Sequence, residues 1–315
     1  MTTRTFRATE RDGTTVVHDP ATGLTHAAPR PLAPGRHQLD AAEVTGWPVH
    51  SPSDHSSGLP LSVCWSPIVR CNLACPHCLD DKTVTAAGPV DSLRIASLIG
   101  AAGIPAVDIS GGEPLLLRDL PRLAKTLTAA GCAVSVTTNG WHLKRRVPEL
   151  AATIDAIRVS LDGPQAWVHD TWRGPGSFER AVSGIRAAVD AGIPVQIQTV
   201  LMASTYRYLQ KTVELAAITG ALGVTVLQML PIGDGAALAP NETVCDEEAR
   251  RIVDSLTVPD GLTVRLRTRE AAAGFTVIRA DGWIWRNTHR AEEISAVRPL
   301  TRPADVALSG RDGSA

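Results

Sequence analysis

The sequence predicts an α/β fold built from parallel strand–helix–strand units. From Leu61 onward, short apolar runs alternate with helix-like segments at roughly 25–35 residue spacing. Gly103, Gly131, Gly192 and Gly220 each stand where a helix should end before the next strand. Polar motifs follow the first four strands, at the ends where ligands gather in such folds.

Taken in order, residues 1–60 read as an N-terminal extension. "TTVVHDPATGLTHAAPRP" suggests a strand, a turn from Asp19-Pro20 to Gly23 and a second strand, with the Pro-rich stretch from Pro31 to Pro60 irregular. Residues 61–235 form the core. Its six strands lie in "LSVCWSPIV", "AVDIS", "AVSVTTN", "AIRVSLD", "PVQIQTVL" and "GVTVLQMLPI". Helices are expected over 91–102, 120–130, 147–153, 177–191 and 206–219. Residues 236–297 read as a small C-terminal lid. It has a helix over 241–255, a strand "GLTVRLRT" and a hairpin "FTVIRADGWIWRN" turning at Ala280-Asp281-Gly282. Residues 298–315 are expected to be a flexible tail.

Charge and hydropathy narrow the function classes. The 315 residues carry 31 basic and 32 acidic side chains, which leaves no electrostatic footprint for nucleic acid or an anionic membrane. No apolar run would span a bilayer, and the polar N-terminus "MTTRTFRATERDG" has no secretory core. A cytoplasmic protein is expected, where a tight cysteine cluster points to metal or redox chemistry rather than disulfides.

That cluster is "RCNLACPHC", with Cys71, Cys75 and Cys78 spaced C-x3-C-x2-C. Three thiolates can hold three irons of a 4Fe-4S cluster and leave the fourth iron open, whereas electron carriers use four cysteines. Zinc, with His77 or a distant fourth ligand, is the alternative, although zinc sites usually build on C-x2-C pairs. Further along come "SGGEP" (residues 110–114), "TTNG" (137–140) and "SLDG" (160–163).

The cysteine spacing followed by Gly-Gly-Glu-Pro resembles the radical S-adenosylmethionine (radical SAM) enzymes, over residues 63–235. The resemblance implies a partial (β/α)6 TIM-like barrel. It also implies one 4Fe-4S cluster on Cys71, Cys75 and Cys78, and S-adenosyl-L-methionine bound at the open iron. Reductive cleavage would then yield methionine and a 5′-deoxyadenosyl radical that abstracts a substrate hydrogen atom. The electron would come from an external one-electron reductant, flavodoxin- or ferredoxin-like. His77 would border the adenine, and Gly111, Gly112, Glu113 and Pro114 would receive the methionine amino group. Asn139, Ser160 and Asp162 would offer polar contacts to the nucleoside or carboxylate. Arg173, in "HDTWRGPGSFERA", would pair with the cofactor carboxylate, and Gln198 would face the nucleoside. Each has a bland alternative: Ser160 and Asp162 could cap a turn, Arg173 could be solvated, and His77 could simply pack under the loop.

Related enzymes with auxiliary clusters carry a dense set of further cysteines after the barrel. This chain has Cys245 there, and Arg286 and Asn287 follow the hairpin. One cluster is therefore expected. Cys64 and Cys132 read as small buried apolar residues. Cys245, at a loop-to-helix junction, is the candidate hydrogen-atom donor of an epimerase; otherwise it is a helix-start residue. Trp283 and Trp285 could stack on a flat sugar or nucleoside, or merely pack. The expected substrate is a small molecule or peptide. Epimerisation leads, with ribosomal-peptide maturation or oxidative tailoring of a sugar or nucleoside as alternatives.

Overall fold

An Asp-Gly pair opens the first hairpin. In this computed structural model, which describes residues 3–50, 58–80, 82–272, 275–287 and 293–307, Asp12 and Gly13 take φ of 47° and 76°. They join β1 (Thr3–Arg11) to β2 (Thr14–His18) in a two-residue turn of the kind that matches strand twist. With β3 (Thr25–Ala27) and β4 (Gly35–Asp40) these make an antiparallel sheet of order β3-β2-β1-β4. Helix α1 (Ala41–Thr45) follows, capped by Asp40, whose carboxylate accepts from the amides of Ala42 and Glu43. The stretch expected to be irregular from Pro31 thus contains a strand and a helix; its residues 51–57 lie outside the described ones. Phe6, Val17, Val44 and Trp47 give this sheet a core of its own.

The main sheet has ten strands in the order β11-β10-β9-β8-β7-β6-β5-β12-β13-β14. Seven parallel strands alternate with helices. In chain order they are β5 (Ser62–Trp65), α2 (Pro89–Ala101), β6 (Ala106–Ile109), α3 (Leu120–Ala129), β7 (Ala133–Thr138), α4 (Leu143–Leu150) and β8 (Ala156–Ser160). There follow α5 (Ala166–Arg173), α6 (Ser177–Asp190), β9 (Val195–Leu201), α7 (Leu209–Thr219) and β10 (Gly223–Gln228). Short α8 (Ala239–Glu242) and α9 (Asp246–Asp254) lead to β11 (Thr263–Arg267). All six expected core strands are present, and the "GLTVRLRT" strand joins them as a seventh. Helix α4 starts earlier than expected, because Pro148 sits inside its last turn while Leu143, Val147 and Leu150 bury one face. Helix α5 was not expected.

The lid hairpin is built differently from a separate cover. Its strands β12 (Thr276–Ile278) and β13 (Trp283–Asn287) pair antiparallel around the expected turn, but β12 also pairs parallel with β5 and so extends the main sheet. Strand β14 (Ile294–Pro299) completes it. Residues 298–307, assigned to a flexible tail, are packed: Leu300 and Val306 are buried, and the 303–306 turn lies on α2. Two apolar side chains that can reach the core anchor a segment whose Arg, Pro and Gly content suggested otherwise. Residues 308–315 of that expected tail lie outside the described ones. Among the described residues no helix is long and apolar enough to cross a membrane.

Alternation sorts the strand side chains onto two faces. Val63, Val107, Val136, Val159, Ile197 and Val226 point outward into one apolar core beneath the helices. Cys64, Asp108, Ser135, Arg158, Gln198 and Thr225 lie on the other face. The sheet curves about this polar face, since the guanidinium of Arg267 on β11 feels Asp108 on β6. The result is an open barrel with a polar lumen.

The N-terminal sheet closes the lower end of that lumen. Arg7 donates to the Gly131 carbonyl at 2.8 Å, and Arg36 forks onto Asp155 at 2.6 and 2.7 Å. The β2–β3 turn inserts beneath the strands, where the Pro20 carbonyl accepts from Arg158 Nη2 at 2.7 Å. Asp19 shapes the turn by accepting from the Ala21 amide, Thr22 Oγ1 and Arg4 Nη2. A side chain at Gly23 would come within 3.0 Å of Arg158, which explains the glycine.

Candidate active site

The cysteine loop leaves β5 at the C-terminal rim of the barrel. The Cys78 amide donates to the Cys75 carbonyl, turning the loop so that all three thiols are partly buried. Backbone amides aim at two of the sulfurs, Leu73 at Cys71 and Asp80 at Cys78, both at 3.4 Å. Asn139 Nδ2 adds a third donor to Cys71 at 3.7 Å. Burial pushes the thiols upward, Cys75 to about 11, with the Arg173 charge opposing it there. Metal binding would reverse that by replacing the proton, and N–H donors directed at sulfur favour the thiolate. Among the described residues no three His, Cys, Asp or Glu side chains close around one ion position. Three thiols that each take a separate iron of a cluster need not do so. The donor set therefore fits a 4Fe-4S cluster.

The Ser110–Pro114 segment lies directly under this loop. A Cβ on Gly111 would fall 2.4 Å from the Ile68 carbonyl, and one on Gly112 would fall 2.2 Å from that of Val69. The paired glycines thus let two backbones touch. Their amides are partly spent there too: Gly112 donates to Ile68 and Glu113 to Arg70. Glu113 is fully buried, and its carboxylate accepts from the Leu115 amide (2.9 Å), Thr138 Oγ1 (2.7 Å) and the Asn139 amide (2.8 Å). Burial raises its pKa while these donors oppose the rise. The Glu113 side chain ties the ends of β6 and β7 together. Pro114 opens the short 3-10 turn that follows. Glu113→Gln would turn one oxygen into a donor facing a donor. It is expected to cost about 1–3 kcal/mol of stability, read as a lower urea midpoint.

Asn139 is similarly committed. Its amide nitrogen donates to Asn72 Oδ1 at 3.0 Å as well as to Cys71, and its oxygen accepts from the Trp141 amide. It holds the cysteine loop rather than standing free for a nucleoside. Ser160 and Gln198 are register partners on β8 and β9 and face the lumen side by side.

The strand end after β8 carries the tightest charge group. Asp162 is buried, and its Oδ2 lies 2.5 Å from Arg173 Nε and 3.2 Å from His77 Nε2, while Oδ1 accepts from the Val200 amide. Burial alone would raise this carboxyl, but Arg173 and His77 hold it well below the usual carboxylate range. His77 packs edge-on to Trp172, and its Nδ1 has no hydrogen-bond partner. Asp162, expected as a cofactor contact, instead joins the cysteine loop to the end of α5.

Several contributors were not singled out in the sequence. His169 is held near a pKa of about 4 by burial and then by Arg173, and so accepts neutral from the Asp162 amide at 3.0 Å. Asp170 caps α6 through the Gly176 and Phe178 amides and Ser177 Oγ. These two, with Arg173, account for most of the "HDTWRGPGSFERA" stretch. Gly233 abuts the cysteine loop, where a Cβ would lie 2.7 Å from the Cys78 carbonyl. A glycine pair just past a strand was the available signal. Arg279, in the hairpin, pairs with Asp80 at 2.8 Å and so fastens β12–β13 to the segment after Cys78. A cavity of about 520 Å³ opens beside it, lined by Leu79, Lys82, Ile232, Asp234 and Trp285. Trp285 borders that cavity beneath Arg279, whereas Trp283 is exposed.

The cysteines outside the loop separate. Cys132 is buried as expected. Cys64 is not simply apolar, because it faces the lumen near Asp108 and Arg267, and burial pushes its thiol up to about 12. Cys245 is the N-cap residue of α9 and is exposed. Gln228 anchors its neighbours, Val244 and Asp246, while the Cys245 side chain faces solvent.

A model of the radical SAM superfamily matches residues 65–216. The chain belongs to the radical SAM superfamily. It is 35% identical over 183 residues to the AdoMet-dependent heme synthase of Methanosarcina barkeri, covering 56% of this chain and 52% of that one. It is 31% identical over 206 residues to the mycofactocin maturase MftC of Mycolicibacterium smegmatis, covering 62% and 52%. The chain thus spans about half the length of these curated relatives. SuiB of Streptococcus suis, solved with S-adenosylmethionine and also with its precursor peptide SuiA, shares the fold. For the first of these the TM-score is 0.60 at 17% identity, over 72% of this chain and 60% of SuiB. Membership of the radical SAM superfamily implies a 4Fe-4S cluster and S-adenosylmethionine.

Proposed function

We propose that this radical SAM enzyme holds one 4Fe-4S cluster on Cys71, Cys75 and Cys78 and oxidises a peptide by removing hydrogen from a residue placed in the polar lumen. The observation that carries this reading is the position of the three thiols, at the rim of a lumen whose lower end is plugged by the β2–β3 turn. When bound, the cluster and S-adenosyl-L-methionine would supply the 5′-deoxyadenosyl radical that takes the first hydrogen atom; the substrate radical would then give up a proton and one electron, with S-adenosylmethionine, leaving as methionine and 5′-deoxyadenosine, as the net two-electron oxidant.

The chain's own residues prepare the rim. Leu73 and Asn139 steady Cys71. Asp162 takes Arg173 Nε, and no described residue takes the terminal nitrogens of that guanidinium, which suits a cofactor carboxylate. His77 lies with Nε2 3.2 Å from Asp162 Oδ2, and neither ring nitrogen has a hydrogen-bond partner among the described residues, in keeping with a place beside the adenine. Ser160 and Gln198 suit the nucleoside or the substrate backbone.

A peptide substrate is supported by the maturase relative and by the peptide-bound structure that shares the fold. Oxidation is taken ahead of epimerisation because the expected donor, Cys245, is an exposed helix-start residue with no described hydrogen bond that aims its thiol into the lumen. Anaerobic reduction of the reconstituted chain with S-adenosylmethionine is expected to release 5′-deoxyadenosine and methionine in equal amounts. A chain with a full cluster that releases neither would overturn the reading. In deuterated water the peptide product is expected to be lighter by two hydrogens. A product carrying one solvent deuteron without that loss would establish epimerisation instead.

A further inference from the structure

The inner face of the barrel carries more positive charge than its own acids balance. Arg158, Arg265 and Arg267 all lie on it, with Asp108 the acid beside Arg158 and Arg267 and Asp19 the acid that Arg265 feels. Asp108 is already used: Oδ1 takes Arg158 at 2.8 Å and Ser135 at 2.6 Å, and Oδ2 takes Thr137 at 2.7 Å. Asp19, the acid nearest below, closes on Arg4 and its own turn. The remaining donors of Arg158 end on the carbonyls of Pro20 and Ala21.

Arg265 and Arg267 differ from Arg158. Arg265 makes one hydrogen bond, from Nε to Thr225 Oγ1 at 3.2 Å. Burial, then Arg267 and Arg158, pull its pKa down to about 9. Arg267 ends β11 opposite Leu227, with its guanidinium 5.6 Å from the centre of the Phe275 ring. Among the described residues neither arginine has an ion pair. Partly buried guanidiniums on one strand face repel one another and pay for desolvation, so such a group is favourable when an anion joins it. As the last residue of β11, Arg267 lies toward the rim that carries the cysteine loop. It also lies beside Phe275, the residue that leads into β12.

We propose that Arg267, backed by Arg265, binds an oxyanion of the substrate, a carboxylate or a phosphate, on the inner face of the barrel at the end of β11. This rests on the reading of the lumen as the substrate chamber. The planar fork of Arg267 can take two oxygens of such a group at once, which a lysine cannot. Leu227 and Phe275 flank the position with apolar surface and strengthen the pairing by limiting solvent. An acid fixed there orients the carbon atoms beside it toward the rim, so Arg267 selects which hydrogen is presented.

The test is anion binding by the reconstituted full chain with S-adenosylmethionine present. The probes are inorganic phosphate, N-acetylalanine and N-acetylalanine amide, at ionic strength matched with chloride. Phosphate, N-acetylalanine or both are expected to raise the melting temperature beyond chloride, and the neutral amide is not. Whichever anion acts identifies the chemistry. Arg267→Met is expected to weaken that binding roughly tenfold or more, and Arg267→Lys to retain part of it. Arg251→Met removes the same charge from an exposed face of α9 and is expected to bind like the wild type. No response beyond chloride in the wild type, or equal responses in the wild type and both Arg267 variants, would overturn the proposal. Iron content of the same samples reports separately on the cluster.

Discussion

Replacing Cys71, Cys75 and Cys78 together by alanine is expected to take reconstituted iron from about four per chain to near zero and to abolish 5′-deoxyadenosine formation. The physical reason is that no other group of thiols in the described structure can substitute. Cys64 faces the lumen from β5, and Cys132 begins β7 at the plugged end, where its carbonyl accepts from Arg36. Cys245 stands alone at the start of α9. Substantial iron remaining in the triple variant would require a second site assembled from residues this fold keeps apart, and would sink the single-cluster reading. Secondary structure is expected to survive, because the loop is fastened independently through the Gly111–Gly112 contact and the Arg279–Asp80 pair.

The second large effect is on stability. Asp162→Asn would leave Arg173 and His77 buried without their shared anion, and is expected to destabilise the chain by about 3–5 kcal/mol at neutral pH. Because the folded structure depresses the Asp162 pKa, its contribution is fully present above the ordinary carboxylate range and is lost as pH falls toward the folded value. Urea midpoints of wild type and variant should therefore differ most near pH 7 and converge below about pH 4. A difference that stays constant across that range would mean that Asp162 acts through shape rather than charge. The same variant is expected to weaken iron retention less than the cysteine changes do, since Asp162 touches the loop at His77 and not at a sulfur.

The chain announced its cysteine loop and the Gly-Gly-Glu-Pro segment plainly, but the sequence did not say what each residue there touches. Paired glycines were legible as a close approach; that the approaching group is the carbonyls of Ile68 and Val69 was not. Glu113 and Asn139 read as ligand contacts, yet burial commits both to internal donors and acceptors. Asp162 and Arg173, eleven positions apart, read as two separate candidates. Only the return of α5 over the β8 end makes them one ion pair. Cys245 was the reverse case. A thiol at a loop-to-helix junction can face either way, and the burial of Val244 and Ala249 turns it outward.

What the sequence by itself determined was local and periodic. Apolar runs, glycine stops and the Asp281-Gly282 turn specify strands, helices and a hairpin through short-range sterics and hydrophobic alternation. The spacing of Cys71, Cys75 and Cys78 fixes three thiols on one loop whatever surrounds them. Even the polar lumen was written as alternation in "AVDIS", "AIRVS" and "PVQIQT", where buried parallel strands would otherwise be apolar on both faces. The tertiary structure alone decided which polar groups meet. Curvature carries Arg267 across to Asp108, the β2–β3 turn arrives beneath Arg158, and β12 pairs with β5 more than two hundred residues away in the chain. Charge balance inside the barrel depends on those long-range meetings, because Coulomb energies follow distance in space and not separation along the sequence.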